Sequence, residues 1–239
     1  MVGIGPGGPL DRTRRAENAI AQSDPVIGSS RYVDCVKDLT GGKEVVRSAM
    51  REEVERCERA LDAALSGRAV ALVCSGDAGI YGMAGLVLEL AAERGVRVPV
   101  EIVPGVTAAS AAAARLGAPL MLDFACISLS DLLVPWDTIR RRLEAAAAAD
   151  LVVALYNPKS RQREEGIVEA AEIFRRHRPG TTPVGVATGV GTEDERVEVS
   201  DLDRFLDLEI SMRSVVIVGN SSSRRLGRWF VTPRGYRLP

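Results

Sequence analysis

Three glycine-rich turns, each placed after a short apolar run, carry the residues that could do chemistry here: GIGPGG at Gly3–Gly8, SGDAGIYGMAG at Ser75–Gly85 and VPGVTAAS at Val103–Ser110. Glycine and other small residues at the end of a strand let a ligand approach the backbone closely. The single acid among them, Asp77, directly follows the run Ala69–Cys74, where sites in parallel sheets gather. An isolated S-G-D would serve as a helix N-cap for the segment at Ala78–Leu90, but the further glycines at 79 and 82 are unusual in a helix unless something packs on its backbone. The turn at Pro104–Ala109 repeats the pattern and ends in a helix start whose free N–H groups suit a carboxylate or another polar edge. A fourth turn, YNPKSR at Tyr156–Arg161, follows the run Leu151–Leu155 and is locally basic through Lys159, Arg161 and Arg163.

The residues from Gly3 to Gly8 match the dinucleotide pattern G-x-G-x-x-G letter for letter. The acid which that fold places at the end of its second strand is missing, since Asp24 precedes the run Pro25–Ile27, and Pro6 stiffens the turn. Close approach of a ligand that is not a pyrophosphate, or simply a tight turn, remain as readings. His177 is the only histidine and stands among arginines at the end of a helical pattern, where it complements the helix dipole. Any chemistry must therefore manage without a histidine pair. The four cysteines, Cys35, Cys57, Cys74 and Cys126, are scattered and form no C-x-x-C, which argues against a zinc site or a disulfide framework and for apolar filling.

The elements that position these turns follow from apolar periodicity. Continuous runs at Pro25–Ile27, Ala69–Cys74, Val98–Val103, Leu151–Leu155, Pro183–Ala187 and Val215–Val218 read as strands covered on both faces, hence an α/β fold with largely parallel pairing. Helices are expected at Met50–Leu65, stopped by Gly67, at Thr107–Leu116, at Trp136–Ala149 with Asp137 as cap, and at Gln162–Arg176, stopped by Pro179–Gly180. A boundary at 117–118 divides the chain into an N-terminal α/β domain, 1–117, and a C-terminal one, 118–239, with a ligand cleft between them. The 239 residues carry a net charge of −1, which gives no bulk field favouring nucleic acid or an anionic membrane surface. There is neither a secretory signal nor an apolar stretch long enough to span a bilayer, and a cytoplasmic protein is expected.

Taken in order, GIGPG at 3–7, SGDAGIYGMAG at 75–85, VPGVTAASAAAARLGAPL at 103–120, ISLSDLL at 127–133, YNPKS at 156–160, TPVG at 182–185 and VVIVGNS at 215–221 resemble the tetrapyrrole methylase family. The resemblance covers nearly the whole chain, and DFACISLSDLLVPW and ALYNPKS are its most specific stretches. It implies S-adenosylmethionine as methyl donor in a cleft between two α/β domains, a precorrin or related corrinoid as acceptor, and a homodimer. The implied reaction is methylation of precorrin-3B at ring carbon 17 coupled to ring contraction, giving precorrin-4 in cobalamin biosynthesis. A sibling acting on a cobalt-containing ring or another ring position, and a cofactor-binding homologue without catalysis, stay open.

Carried over motif by motif, the donor would be lined by Pro6, Ser75, Gly76, Asp77, Ile80, Thr107, Ala108, Tyr156, Asn157, Ala187 and Gly189. Asp77, Ser128 and Asp131 are the candidate catalytic groups, and Arg31, Ser130, Lys159, Arg161 and Arg163 the candidates for holding a polycarboxylate substrate by charge-assisted hydrogen bonds. Two departures stand out: VATGVGTEDER replaces the arginine- and asparagine-bearing segment expected after TPVG, and Leu122 precedes Asp123 where the family leads one to expect histidine. Methyl transfer from a sulfonium expels a neutral leaving group, so the demand on the protein is orientation and exclusion of water, with no metal required.

Overall fold

A computed structural model describes residues 1–160 and 163–237. They form two compact units, Met1–Ala108 and a second beginning at Ala109.

The first unit holds a four-stranded sheet of β1 (Val2–Gly3), β2 (Val26–Ser29), β3 (Val45–Ser48) and β4 (Ala71–Cys74), in the order β1-β4-β2-β3. Every pairing is parallel, and Val103 extends the sheet beside β1 by a single parallel bridge to Val2. The core explains why the strands read as unbroken apolar runs. In β4, Ala71 and Val73 face one cluster, with Ala16 and Ile20 of helix α1 (Arg14–Ala21) and Val33 of α2 (Ser30–Asp34). Leu72 and Cys74 face the opposite cluster, with Cys57 and Leu61 of α3 (Glu53–Leu65) and Val87 of α4 (Ala84–Glu93). Both faces are covered, so alternate residues are apolar for different reasons. The expected strand at Val98–Val103 reduces to the Val103 bridge, because Pro99 offers no ladder donor.

The second unit takes in all but the first residue of α5 (Ala108–Leu116), and β5 (Gly117–Ala118) follows that helix. Its main sheet consists of β6 (Phe124–Ser128), β7 (Val152–Tyr156), β8 (Pro183–Thr188), β9 (Arg196–Asp201) and β10 (Ser214–Val218), ordered β6-β7-β10-β8-β9. Only β6 and β7 are parallel; β10 runs antiparallel to β7 and to β8, and β8 antiparallel to β9. Parallel pairing therefore holds in the first unit and gives way in the second. One face is covered by α6 (Trp136–Ala148) and α7 (Glu165–His177), whose Ile139, Leu143, Ile167 and Phe174 pack on Val153, Leu155, Val184 and Val216. Gly185 keeps a place in β8 because a Cβ there would lie 2.5 Å from a methyl carbon of Leu116 in α5. A hairpin of β11 (Arg224–Leu226) and β12 (Trp229–Val231) pairs with β5.

Pro135 stands at the N-cap of α6 and its carbonyl accepts from Thr138 and Ile139, and Asp137 does not cap the helix. Asp137 instead pairs with Arg140 at 2.7 Å. His177 closes α7 and its Nε2 lies 3.0 Å from Glu144 Oε2. No helix among the described residues is long and apolar enough to cross a membrane, and none of their His, Cys, Asp and Glu side chains cluster as a metal site.

The cysteines bear out the filler reading only in part: Cys57 and Cys74 are buried, Cys35 and Cys126 half-buried. Burial pushes the thiols of Cys57 and Cys74 up to about 11. Since the thiolate is the reactive form, alkylation of these two in the native protein at pH 8 should run roughly a hundredfold slower than for a free cysteine. Mass spectrometry after iodoacetamide treatment, with and without denaturant, reads this directly; rapid native labelling of Cys74 would contradict the packing of that cluster.

Candidate functional site

Three backbone turns meet at the C-terminal ends of β1, β4 and the Val103 segment. Gly5 and Gly76 exchange hydrogen bonds, Gly5 N–H to Gly76 O at 3.1 Å and Gly76 N–H to Gly5 O at 2.7 Å. Gly3 donates to Val103 O and Ile4 to Cys74 O, both at 3.0 Å. Such close approach leaves no room for side chains. A Cβ on Gly3 would lie 2.7 Å from Gly76 O and 2.8 Å from Gly105 N, and one on Gly105 would lie 2.1 Å from Gly76 O. The glycines at 3 and 105 are thus demanded by packing of the turns on each other.

Gly76 has a different reason. Its φ of +66° suits glycine, yet the nearest atom to an added Cβ is Ala108 N at 3.9 Å. Over Gly79 the nearest is the carboxylate of Asp77 at 3.4 Å. A side-chain carbon would have room at both positions, the buried Gly76 and the exposed Gly79, where the space around Gly3 and Gly105 is filled, which is the form of a cradle that takes a ligand against backbone.

Asp77 fastens the cradle. Its Oδ1 accepts from Gly79 N at 2.8 Å and its Oδ2 from Gly105 N at 3.0 Å, so one carboxylate ties the turn after β4 to the turn before α5. It caps no helix: α4 starts at Ala84, and between the buried Ala78 and Met83 the residues Gly79–Gly82 form an exposed lip with Ile80 and Tyr81 at its tip. A Cβ on Gly82 would lie 2.3 Å from Ala78 O, and Tyr81 takes a φ of +53°, so this glycine-dense stretch is a loop. Pro6 is half-buried beyond Gly5, Ser75 exposed, and Thr107 and Ala108 half-buried at the start of α5. The glycine run at 3–8 does not open into a helix: a 3-10 turn at Pro9–Asp11 intervenes and α1 begins at Arg14, capped by Thr13. That excludes the strand–glycines–helix context a dinucleotide fingerprint needs.

In the second unit a polar cluster sits at the C-terminal ends of the parallel pair β6 and β7. Ser128 Oγ accepts from Asn157 Nδ2 at 2.9 Å and from Ser130 N at 3.2 Å. With both acceptor sites used, the hydroxyl proton is left to be donated. Asn157 stands at φ +50°, and the Tyr156 hydroxyl beneath it accepts from Ala109 N at 2.9 Å in a buried position. Tyr156→Phe should remove that acceptor and leave a buried N–H unpaired, costing about 1–3 kcal/mol. A denaturant titration of both proteins checks this, and equal midpoints would show that the helix start does not depend on the bond.

Arg163, expected on a rim facing substrate, directs its donors to protein atoms: Nη1 to Ser130 Oγ at 3.2 Å and Asp131 Oδ1 at 3.4 Å, and Nη2 to Asn157 O at 3.1 Å. Lys159 pairs with Glu164 at 3.2 Å. Arg31 is exposed on α2 of the first unit, and Arg161 lies outside the described residues. Ala187 is buried in β8, and Gly189, at φ +61°, donates its N–H to Arg213 O at 3.1 Å. Sequence reasoning overlooked Arg213, whose guanidinium holds this turn through Thr192 Oγ1 at 2.8 Å and Asp194 at 2.9 Å. A basic residue just before β10 gave no motif to notice. Leu122 is half-buried ahead of the exposed Asp123. A separate hollow of about 500 Å³, lined by Arg115, Leu116, Val197, Arg225, Arg228 and Trp229, contains none of the expected site residues.

Comparison with known proteins finds relatives over most or all of the chain. Residues 1–205 match the family of Tetrapyrrole (Corrin/Porphyrin) Methylases. The chain is 45% identical over 238 residues to a probable cobalt-factor III C(17)-methyltransferase of Salmonella typhimurium, covering 100% of this chain and 99% of that protein. It is 44% identical to the cobalt-factor III methyltransferase of Priestia megaterium, where the match takes in 99% of this chain and 45% of the longer relative. Among solved structures, that of the methyltransferase CobJ superimposes with a TM-score of 0.89 at 35% identity, covering 97% of this chain and 98% of the other.

Proposed function

Because the chain belongs to the tetrapyrrole (corrin/porphyrin) methylase family, and is thereby a methyltransferase, we propose that it transfers the methyl group of S-adenosylmethionine to carbon 17 of a corrinoid ring in cobalamin biosynthesis, with cobalt-factor III as acceptor. The observation that carries this is the full-length similarity, at 45% identity, to a protein bearing that name. Methylation of metal-free precorrin-3B to precorrin-4, with the same ring contraction, is the second reading.

The open cradle fits the donor. A sulfonium-linked nucleoside with an amino-acid tail needs backbone to lie on and polar edges to meet, and Gly76 and Gly79 carry no side chain that would take that space. In the first unit Pro6, Ser75, Gly76, Asp77, Ile80, Thr107 and Ala108 are assigned to the donor; in the second, Tyr156, Asn157, Ala187 and Gly189. When bound, the donor supplies a methyl group activated by the positive sulfur that it leaves. The work of the chain is placement: Asp77 fixes two turns so that their N–H and C=O groups are set before a ligand arrives, which spares ordering cost at the moment of reaction. The lip at Ile80–Tyr81 brings apolar surface that excludes water. Ser128, with its proton available, and Asp131 are assigned to proton movement during ring contraction. Lys159, Ser130, Arg31 and Arg161 are assigned to the carboxylates of the acceptor. A homodimer in the cytoplasm completes the proposal.

The test is turnover with each acceptor. Purified protein, S-adenosylmethionine and cobalt-factor III should yield a product heavier by one methyl group with a contracted ring, seen by mass and absorption spectra. Conversion of precorrin-3B alone would select the second reading, and binding of both ligands without a product would defeat both.

A further inference from the structure

Arg163 is the hub of the second unit's polar cluster. Its side chain is only 14% exposed, and its Nε lies buried. One guanidinium joins three separate segments: Ser130 and Asp131 in the turn after β6, the Asn157 carbonyl in the turn after β7, and Met212, ahead of β10, whose sulfur lies 3.7 Å from Nη2. The first two turns also hold each other through Asn157 Nδ2 on Ser128 Oγ, so Arg163 closes a ring of contacts around Ser128. A planar fork with donors in fixed directions can do this; an ammonium on a flexible stem cannot meet the same acceptors together.

We propose that Arg163 is a positioning residue for methyl transfer, which sets the turn bearing Ser128, Ser130 and Asp131 against the turn bearing Asn157 and does not itself hold the substrate's carboxylates. The proposal rests on the methyltransferase reading above. It differs from the charge-clamp expectation in a measurable way. A clamp lost would weaken acceptor binding, whereas a positioning group lost leaves the acceptor bound and the reacting groups misplaced, and displacement by about 1 Å costs on the order of a hundredfold in rate.

Arg163→Lys and Arg163→Gln are to be compared with wild type in turnover of cobalt-factor III, in calorimetric affinity for S-adenosylhomocysteine, and in deuterium uptake of peptides covering 127–133. Expected are a kcat lowered about 30- to 100-fold in both variants, an acceptor KM and a cofactor affinity within about threefold of wild type, and faster deuterium uptake in that peptide. Lysine keeps the charge and loses the fork, so full activity of Arg163→Lys would overturn the proposal. A KM raised tenfold or more at unchanged kcat would overturn it in favour of the clamp, as would unaltered exchange with unaltered rates. Near-UV circular dichroism certifies the fold, and if the glutamine variant does not fold the lysine variant decides alone. Should wild type itself fail to methylate, the functional reading falls while the exchange comparison still judges the role of Arg163.

Discussion

Replacement of Gly105 by alanine is expected to cost the protein its methyl donor. The added Cβ would sit 2.1 Å from Gly76 O and 2.7 Å from the carbonyl carbon and oxygen of Gly3, all backbone atoms that cannot swing aside as a side chain would. The turns must separate, and with them goes the 3.0 Å bond from Gly105 N to Asp77 Oδ2. Overpacking of this kind costs about 1–3 kcal/mol in stability. Loss of a preset binding geometry worth about 3 kcal/mol would lower affinity for S-adenosylmethionine on the order of a hundredfold. Calorimetry of the donor and a thermal melt measure the two effects. Gly42→Ala is the control: unlike Gly105 it has a positive φ, +75°, and nothing lies within 4 Å of an added Cβ, so it should lose a little stability through backbone strain and no affinity. Equal donor affinity in Gly105→Ala and wild type would show that the junction of the three turns has no part in binding.

Asp77→Ala should be nearly as severe for a different reason. Both carboxylate oxygens accept from backbone N–H groups of separate turns, and charge-assisted bonds of this type contribute about 1.5–3 kcal/mol each when a partner is removed. Alanine leaves both donors without their partner, and donor affinity is expected to fall about 30- to 1,000-fold. Asparagine keeps one acceptor and turns an NH₂ group toward the other N–H, so Asp77→Asn should fall between alanine and wild type. Measured affinities in that order support a structural task for the carboxylate. Unchanged affinity with abolished turnover would instead make Asp77 a participant in the chemistry, which the assignment of Asp77 to the cradle does not predict.

Each unit is legible in part. In the first unit β2 and β4 are short apolar runs because α1 and α2 cover one face and α3 and α4 the other, and the turns are marked by glycines whose need is steric, while the half-exposed β3, with Arg47 in it, gives no such signal. In the second unit the same signal finds three strands and misleads only on their direction. Strands β7, β8 and β10 are buried along nearly their whole length, which reads as a parallel sheet, yet β10 runs antiparallel to both neighbours. Burial on both faces erases the alternation that would mark direction. Strand β9 escapes notice because its residues are mostly charged or half-exposed at the sheet edge. In the site, the tie from Asp77 to Gly105 spans 28 residues, and the network centred on Arg163 spans as many as 49, so no local pattern could announce either. The turns are recognisable by composition; what they hold on to is not.

The most direct measurement is a crystal structure with S-adenosylhomocysteine. The account places the ligand over Gly76 and Gly79, beside Asp77 and Ile80, with a polar edge at Thr107–Ala108. Density seated away from these turns, for instance in the hollow lined by Arg115, Arg225 and Trp229, would contradict it.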